Sequence, residues 1–409
     1  MPSTQQRIAA TIFFSQSLFS AAFIVITNLL SIIAADLSGA EALAGLPQAL
    51  TTLTQAAFAF PLGLILGRYG RRPGLSLAYS MGVAGSLIGV AAVRGESFPL
   101  LLMATMGLGM ARAGAEQSRF AAAEVFPQQD RSKIIGWIVF AGTFGSISGS
   151  ALVAPSALWA ESWNLPPEAG VWMAAAALFG GSLLTTYLLL RPDPRELGQA
   201  LPLEDKQTAE VPLHTRPMRE VFQQSPAQLA LAAMLIGQVV MVGIMVMTPL
   251  QMKHHAHGKE AISLVIAAHT LGMFGLSPIT GRLIARFGQV NIITAGAVIL
   301  ILSAVLAPLS TQMAPLIAAL FLLGLGWNFC FIAGSSLLTT CVNAEERSRA
   351  QGLNDTFIAL ASAAGSLSSG LIFDLGGYLL VSLLGLLLVL VLTGVIGRLA
   401  PQTALPKAV

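Results

Sequence analysis

Stretches of about twenty apolar residues recur from Ile8 to Ala400, and a single long polar segment, Arg191 to Gln224, interrupts them. A backbone in hydrocarbon has no water to satisfy its N–H and C=O groups, so segments of this length are predicted as helices that satisfy their own. Composition agrees, because 55% of the 409 residues are apolar and 10% are charged, with a mean hydropathy of +0.75. Soluble domains carry roughly a quarter charged residues. These values exclude a soluble enzyme or a nucleic-acid binder, and no separate soluble domain can be placed.

The first run, Ala9 to Ala35, is too long for a signal-peptide core and reads as a retained helix. Twelve candidate crossings centre near Phe23, Ala56, Val83, Arg112, Gly145, Leu178, Met241, Ala268, Ala297, Trp327, Ala364 and Leu387. The polar segment splits them into residues 1–191, a cytoplasmic linker 192–224, and residues 225–409, with six crossings on each side. The two cysteines, Cys330 and Cys341, fall in one apolar run and read as small hydrophobes, not as a disulfide.

Cytoplasmic loops retain Lys and Arg. With both termini inside, twelve crossings put Arg7, Arg68, Arg71, Arg72, Arg131, Lys133, Arg191, Arg195, Lys206, Arg216, Arg219, Arg282, Arg286, Arg347, Arg349, Arg398 and Lys407 in the cytoplasm. Only Arg94, Lys253 and Lys259 fall outside. A wrong helix count would invert every later loop and destroy this bias.

The halves also repeat. Gly63-Leu-Ile-Leu-Gly-Arg68-Tyr-Gly70-Arg71 matches Gly281-Arg-Leu-Ile-Ala-Arg286-Phe-Gly288-Gln289 at an offset of 218 residues. Arg131-Ser-Lys-Ile-Ile-Gly136 matches Arg347-Ser-Arg-Ala-Gln-Gly352 at 216, and Gly107-Leu-Gly109 matches Gly324-Leu-Gly326 at 217. One nearly constant offset implies the same six-helix plan twice, in the same orientation.

The segment Gly63 to Arg72, with Gly63, Arg68, Gly70, Arg71 and Arg72 in a G-x-x-x-G-R-x-G-R-R pattern, resembles the loop between helices two and three of the major facilitator superfamily. Gly281, Arg286 and Gly288 repeat it in the second half, and the resemblance implies a gating role for both copies. The resemblance implies an all-α integral membrane protein of two pseudo-symmetric six-helix bundles that moves a small solute by alternating access. It also marks a departure: the family's acidic residue is Gly67 here and Ala285 in the second copy. In the family that acid helps to lock the cytoplasmic side. Glu124 and Asp130 are candidate partners for the arginine cluster.

Charges within the fourth run are unusual, since one at mid-bilayer costs on the order of 3 kcal/mol. Arg112, Glu116 and Arg119, spaced i, i+4, i+7, share one helical face that is predicted to line a wet cavity. Either Glu116 neutralises an arginine and pins helix four, or the arginines bind a polar or anionic substrate while Glu116 carries a proton. In the second half the deep polar residues are Gln238, His269, Asn328 and Asp355. Trp327 beside Asn328 suits a pocket that orients a ring, or simple packing. His269 and Asp355 are further candidates for proton coupling, Asp355 equally for a gate. Asn28 on helix one and Gln55 on helix two, with Gln48 and Thr51, suit a solute path or inter-helix hydrogen bonding. The outer run His254, His255, His257 reads as a solvated loop, and no metal or cofactor is expected.

Gly142, Gly145 and Gly149 give helix five a small-residue face for close packing. No phosphate-cradling loop, zincin pair or nucleophile elbow appears in its required context. The expected function is therefore gradient-driven secondary transport, proton-coupled, by a monomer in lipid of a bacterial inner membrane. The alternatives are a facilitator or anion exchanger holding its substrate on Arg112 and Arg119, and a transport-inactive receptor with the same fold.

Overall fold

The computed structural model describes residues 4–126, 128–200, 216–309, 311–342 and 344–403. Glu204, Asp205 and Lys206 of the linker, and Lys407, lie outside the described residues, as do the side chains of Asp130, Arg131, Lys133, Arg347 and Arg349. Every regular element among the described residues is helical. The first half holds α1 (Thr4–Thr27), α2 (Leu30–Ser38), α3 (Leu46–Tyr69), α4 (Arg71–Arg94), α5 (Phe98–Glu124), α6 (Gln128–Ala151), α7 (Val153–Ser162) and α8 (Ala169–Leu189). Two short helices, α9 (Pro194–Ala200) and α10 (Met218–Gln223), lie within the linker segment 192–224. The second half holds α11 (Ser225–His254), α12 (Lys259–Thr270), a π-helical turn (Leu271–Gly275), α13 (Ser277–Phe287), α14 (Gln289–Leu309), α15 (Met313–Thr340) and α16 (Ala344–Thr403).

Each of the twelve sequence centres lies in a helix, but several crossings are broken. The first breaks between α1 and α2, where the side-chain amide of buried Asn28 donates to the Ile24 carbonyl at 2.6 Å. The fifth breaks between α6 and α7, where Pro155 has no N–H to return to the turn before it. Nine described helices, or ten with one bent pair, have the length and apolarity to cross a membrane. One of them, the 47 residues Leu353–Leu399, is about 70 Å long at ~1.5 Å per residue, enough for two ~30 Å crossings. It turns at Gly376 and Gly377, the latter at φ 65°, a backbone that side-chain-bearing residues rarely adopt.

The chain divides into two compact units, Met1–Glu204 with Ala256–Ala267, and Asp205–His255 with Ala268–Val409. In the first, the glycine face of α6 meets α1: a Cβ on Gly145 would collide with the Ser17 carbonyl, and one on Gly149 with the Ala21 backbone. Small residues thus set how close the helices come, in a solvent that offers no hydrophobic drive between them. In the second, α16 packs along α11, and Thr248 and Tyr378 hydroxyls meet at 2.8 Å. Leu184, Leu188, Leu383, Leu387 and Leu390 are roughly half exposed, a surface suited to acyl chains and costly in water.

Candidate functional site

The face of α5 is built as its spacing requires, and the structure chooses among the pairings. Glu116 pairs with Arg119, Oε2 to Nη2 at 3.2 Å, one turn along the same helix. Both side chains stay partly accessible, at 45% and 32%. Arg112 makes no such pair. Its guanidinium lies 4.9 Å above the Phe23 ring of α1, and among the described residues no protein acceptor receives a hydrogen bond from it. Phe23 is itself stacked on Phe19, with ring centres 6.0 Å apart. The Nε of Arg119 is also buried without an acceptor. Two cations and one anion leave this face a surplus positive charge and unused donors, which suits an acceptor-rich or anionic solute.

Around it, Ser118 donates to Gln16 of α1 at 3.0 Å. Thr51 of α3 donates to the Pro47 and Thr105 carbonyls, which places it in the α3–α5 seam and not on an open wall. Gln55 is half-buried on α3. Asn28 is fully buried, its amide nitrogen holding the α1–α2 break and its Oδ1 unpartnered. The structure therefore groups Arg112, Glu116 and Arg119, and puts Asn28 to work in the backbone of helix one.

In the second unit a polar chain crosses three helices. Trp327 Nε1 of α15 donates to Gln238 Oε1 of α11 at 2.8 Å, and Gln238 Nε2 donates to Ser362 Oγ of α16 at 3.3 Å. The Trp327 indole stacks on Phe331 at 4.7 Å and meets the edge of Phe274 at 6.0 Å. Asn328 is buried and fully engaged: Nδ2 donates to the Met273 carbonyl at 2.5 Å and to Ser277 Oγ at 2.9 Å, and Oδ1 accepts from Thr280 at 2.6 Å. Its neighbour Trp327 belongs to an aromatic cluster, whereas Asn328 belongs to the break after α12. His269 is buried, its Nδ1 against the Leu320 carbonyl at 2.9 Å. A carbonyl only accepts, so Nδ1 carries the hydrogen, and Nε2 has no hydrogen-bond partner among the described residues. Asp355 is exposed near the start of α16. His254 packs on the Phe373 ring and His255 meets Gln251 at 2.9 Å. The described residues contain no group of three metal-ligating side chains.

At the loop between α3 and α4, Arg71 forks onto Glu124 at 2.8 and 3.3 Å, as the charge placement suggested. Arg72 donates to the Tyr187 carbonyl at 2.8 Å and lies 4.8 Å above that ring. An acid that the sequence reading passed over stands beside them. Asp193 accepts from the backbone N–H groups of Arg71, Arg72 and Arg195 at 3.0, 2.9 and 2.9 Å, capping the start of α4, where an anion meets the positive helix end. Gly70, at φ 104°, leaves the space the carboxylate fills; a Cβ there would come within 2.6 Å of it. In Arg191-Pro-Asp-Pro-Arg195 two prolines keep this acid out of any helix interior. In the second copy Gly63's counterpart Gly281 has open space around it, Arg286 lies over the Phe287 ring at 5.2 Å, and Gly288 repeats the positive φ, at 83°. The other missed contact is Arg216, which clasps buried Glu346 through Nε and Nη2 at 3.0 and 2.7 Å. Glu346 pushes the Arg216 guanidinium further above its usual range through that hydrogen bond. Asp193→Ala is expected to cost about 1 kcal/mol of capping, lowering the midpoint of thermal unfolding in detergent by about 2 °C. Asp193→Asn should retain part of it.

Comparison with known proteins settles the fold family. The family model described as Major Facilitator Superfamily matches residues 12–258 and 244–408. The chain belongs to the major facilitator superfamily. This superfamily member is 33% identical over 90% of its length to the MFS-type transporter YdeG of Bacillus subtilis (strain 168), covering 85% of that protein. It is 29% identical to the riboflavin transporter RfnT of Brucella anthropi, covering 94% of both chains. Among solved structures, a bacterial homologue of the human lysosomal transporter Spinster aligns over 100% of both chains with a TM-score of 0.75 at 15% identity. The human organic anion transporter MFSD10 aligns over 97% of this chain and 100% of its own at 0.63 and 16%. Such identities speak for the fold alone. The superfamily member is accordingly an all-α, multi-pass integral membrane protein of a transporter family.

Proposed function

We propose that the chain is a secondary active transporter that moves a small, acceptor-rich organic solute by alternating access of its two halves, coupled to protons through Glu116. The observation that carries this reading is the Arg112 guanidinium, held over Phe23 with no protein hydrogen-bond acceptor among the described residues. Inserting an unpaired cation into a membrane helix is costly, and a solute oxygen is the partner that would offset the cost. A planar ring with carbonyl acceptors, as in a flavin, fits the same chemistry. Its carbonyls would take the guanidinium fork while its faces meet aromatic side chains such as Phe23. The riboflavin transporter among its relatives supports that class.

Coupling follows from competition. Glu116 is paired with Arg119, and a solute that draws on the arginine donors would free the carboxylate to take a proton. Basic residues concentrated in alternate loops support cytoplasmic termini in a bacterial inner membrane. A second reading, anion exchange with Glu116 structural, is favoured by the surplus positive charge of this face. Proteoliposomes with an imposed pH gradient test both: gradient-driven accumulation of riboflavin or an aromatic carboxylate supports coupling. Exchange that ignores the gradient supports the second reading, and binding without any counterflow would reduce the protein to a receptor.

A further inference from the structure

We infer that the π-helical turn Leu271–Gly275 is a hinge on which the amino-terminal limb of α12 swings, that Asn328 is the residue positioning it, and that Lys259 and Glu168 form its latch. This rests on the alternating-access reading above, and it concerns a moving part that reading does not identify.

Three observations converge on the turn. First, the helix is bent there: Lys259–Gly275 and Ile279–Phe287 diverge by 46°. The chemistry of the bend is local. In π register residue 278 would donate to residue 273, but residue 278 is proline and has no N–H. The Met273 carbonyl is instead taken by Asn328 Nδ2, which also binds Ser277, while Asn328 Oδ1 receives Thr280. One buried side chain of α15 thus replaces the missing backbone bond and grips both sides of the break.

Second, α15 comes into close backbone contact at this level. A Cβ on Gly324 would strike the His269 carbonyl, and one on Gly272 the Phe321 carbonyl. His269 adds a bond from its ring to Leu320. The turn is therefore held against one helix by backbone contact and by two side chains, as a pivot must be.

Third, the limb before the pivot has different company. Residues Ala256–Ala267 group with the first compact unit, and Ala268 onward with the second, although α12 runs unbroken between them. Within the first unit, Lys259 Nζ meets Glu168 Oε1 at 3.0 Å, with side-chain exposures of 30% and 35%. Glu168 sits immediately before α8, at a helix start that favours a negative charge. A partly solvated pair of this kind is weak enough to open in each cycle. Release of the pair would free the limb while the pivot stays gripped.

The test uses the full-length protein in right-side-out and inverted membrane vesicles, with Ser263→Cys as reporter. Ser263 lies buried in the limb, and the native Cys330 and Cys341 are buried as well. Lys259→Gln and Glu168→Gln should each raise labelling of the reporter by a membrane-impermeant maleimide about two- to fivefold, from one face only. The exchange Glu168→Lys with Lys259→Glu should restore the parental rate. Thr280→Val, a milder change than Asn328→Ala, should alter the labelling rate and lower the maximal transport rate without changing apparent substrate affinity. Asn328→Ala should do so more strongly, with thermal stability measured alongside to score folding. Parental labelling in all the charge variants would overturn the latch. Parental labelling and turnover in folded Thr280→Val and Asn328→Ala would overturn the hinge. Labelling needs no substrate, so an error in the transport reading leaves these outcomes intact and shows instead as absent transport in the parent.

Discussion

Arg112→Ala will abolish saturable uptake in proteoliposomes while leaving expression and thermal stability near parental values. The basis is an asymmetry in how this guanidinium is held. Arg112 donates to no protein acceptor among the described residues and rests on Phe23, so its removal strands no buried partner. A structural arginine would behave in the opposite way. When a desolvated charge pair loses one member, binding falls by about 3 kcal/mol, or roughly 150-fold. Equilibrium binding of the transported solute, measured by quenching of intrinsic fluorescence, should show that loss directly. Arg112→Lys should recover little, because an ammonium cannot present the planar fork. Unchanged binding in Arg112→Ala, with reduced stability, would assign the residue to packing.

The second large effect falls on energy coupling. Glu116→Gln should eliminate accumulation driven by an imposed pH gradient while counterflow of labelled against unlabelled solute continues. The amide keeps the size of the carboxylate and can still accept from Arg119, so the 3.2 Å contact has a neutral substitute. Only the exchangeable proton is lost. Gradient-driven accumulation at the parental level in Glu116→Gln would remove this carboxylate from coupling and leave the exchanger reading in place. Counterflow lost together with accumulation would point instead to a structural pair.

Arg112 and Glu116 stand out in the sequence because an ionised group in an apolar run has few physical outlets. Periodicity placed Arg112, Glu116 and Arg119 on one face, and the helical architecture followed from run length, charge bias and the offset repeat. Which arginine pairs with Glu116 was not legible, since spacings of three and four residues are both neighbours on a helix. Asn328 shows the same boundary from the other side. Its identity marked it as a deep polar group, yet its work at the α12–α13 break depends on a carbonyl left open by a proline fifty residues earlier. Long-range hydrogen bonding of that kind leaves no periodic trace. Asp193 was missed for a related reason: it stands in a polar stretch where acids are commonplace, and only the fold carries it to the start of α4.

That carboxylate and the Arg216 clasp together redefine what joins the two sequence halves. The connecting peptide is fastened to the first unit at Asp193 and to the second at Arg216, so 22 residues lie between its anchors. A stretch of that length sets only a loose bound on how far its anchors can separate. The covalent connection secures one copy of each half in every molecule.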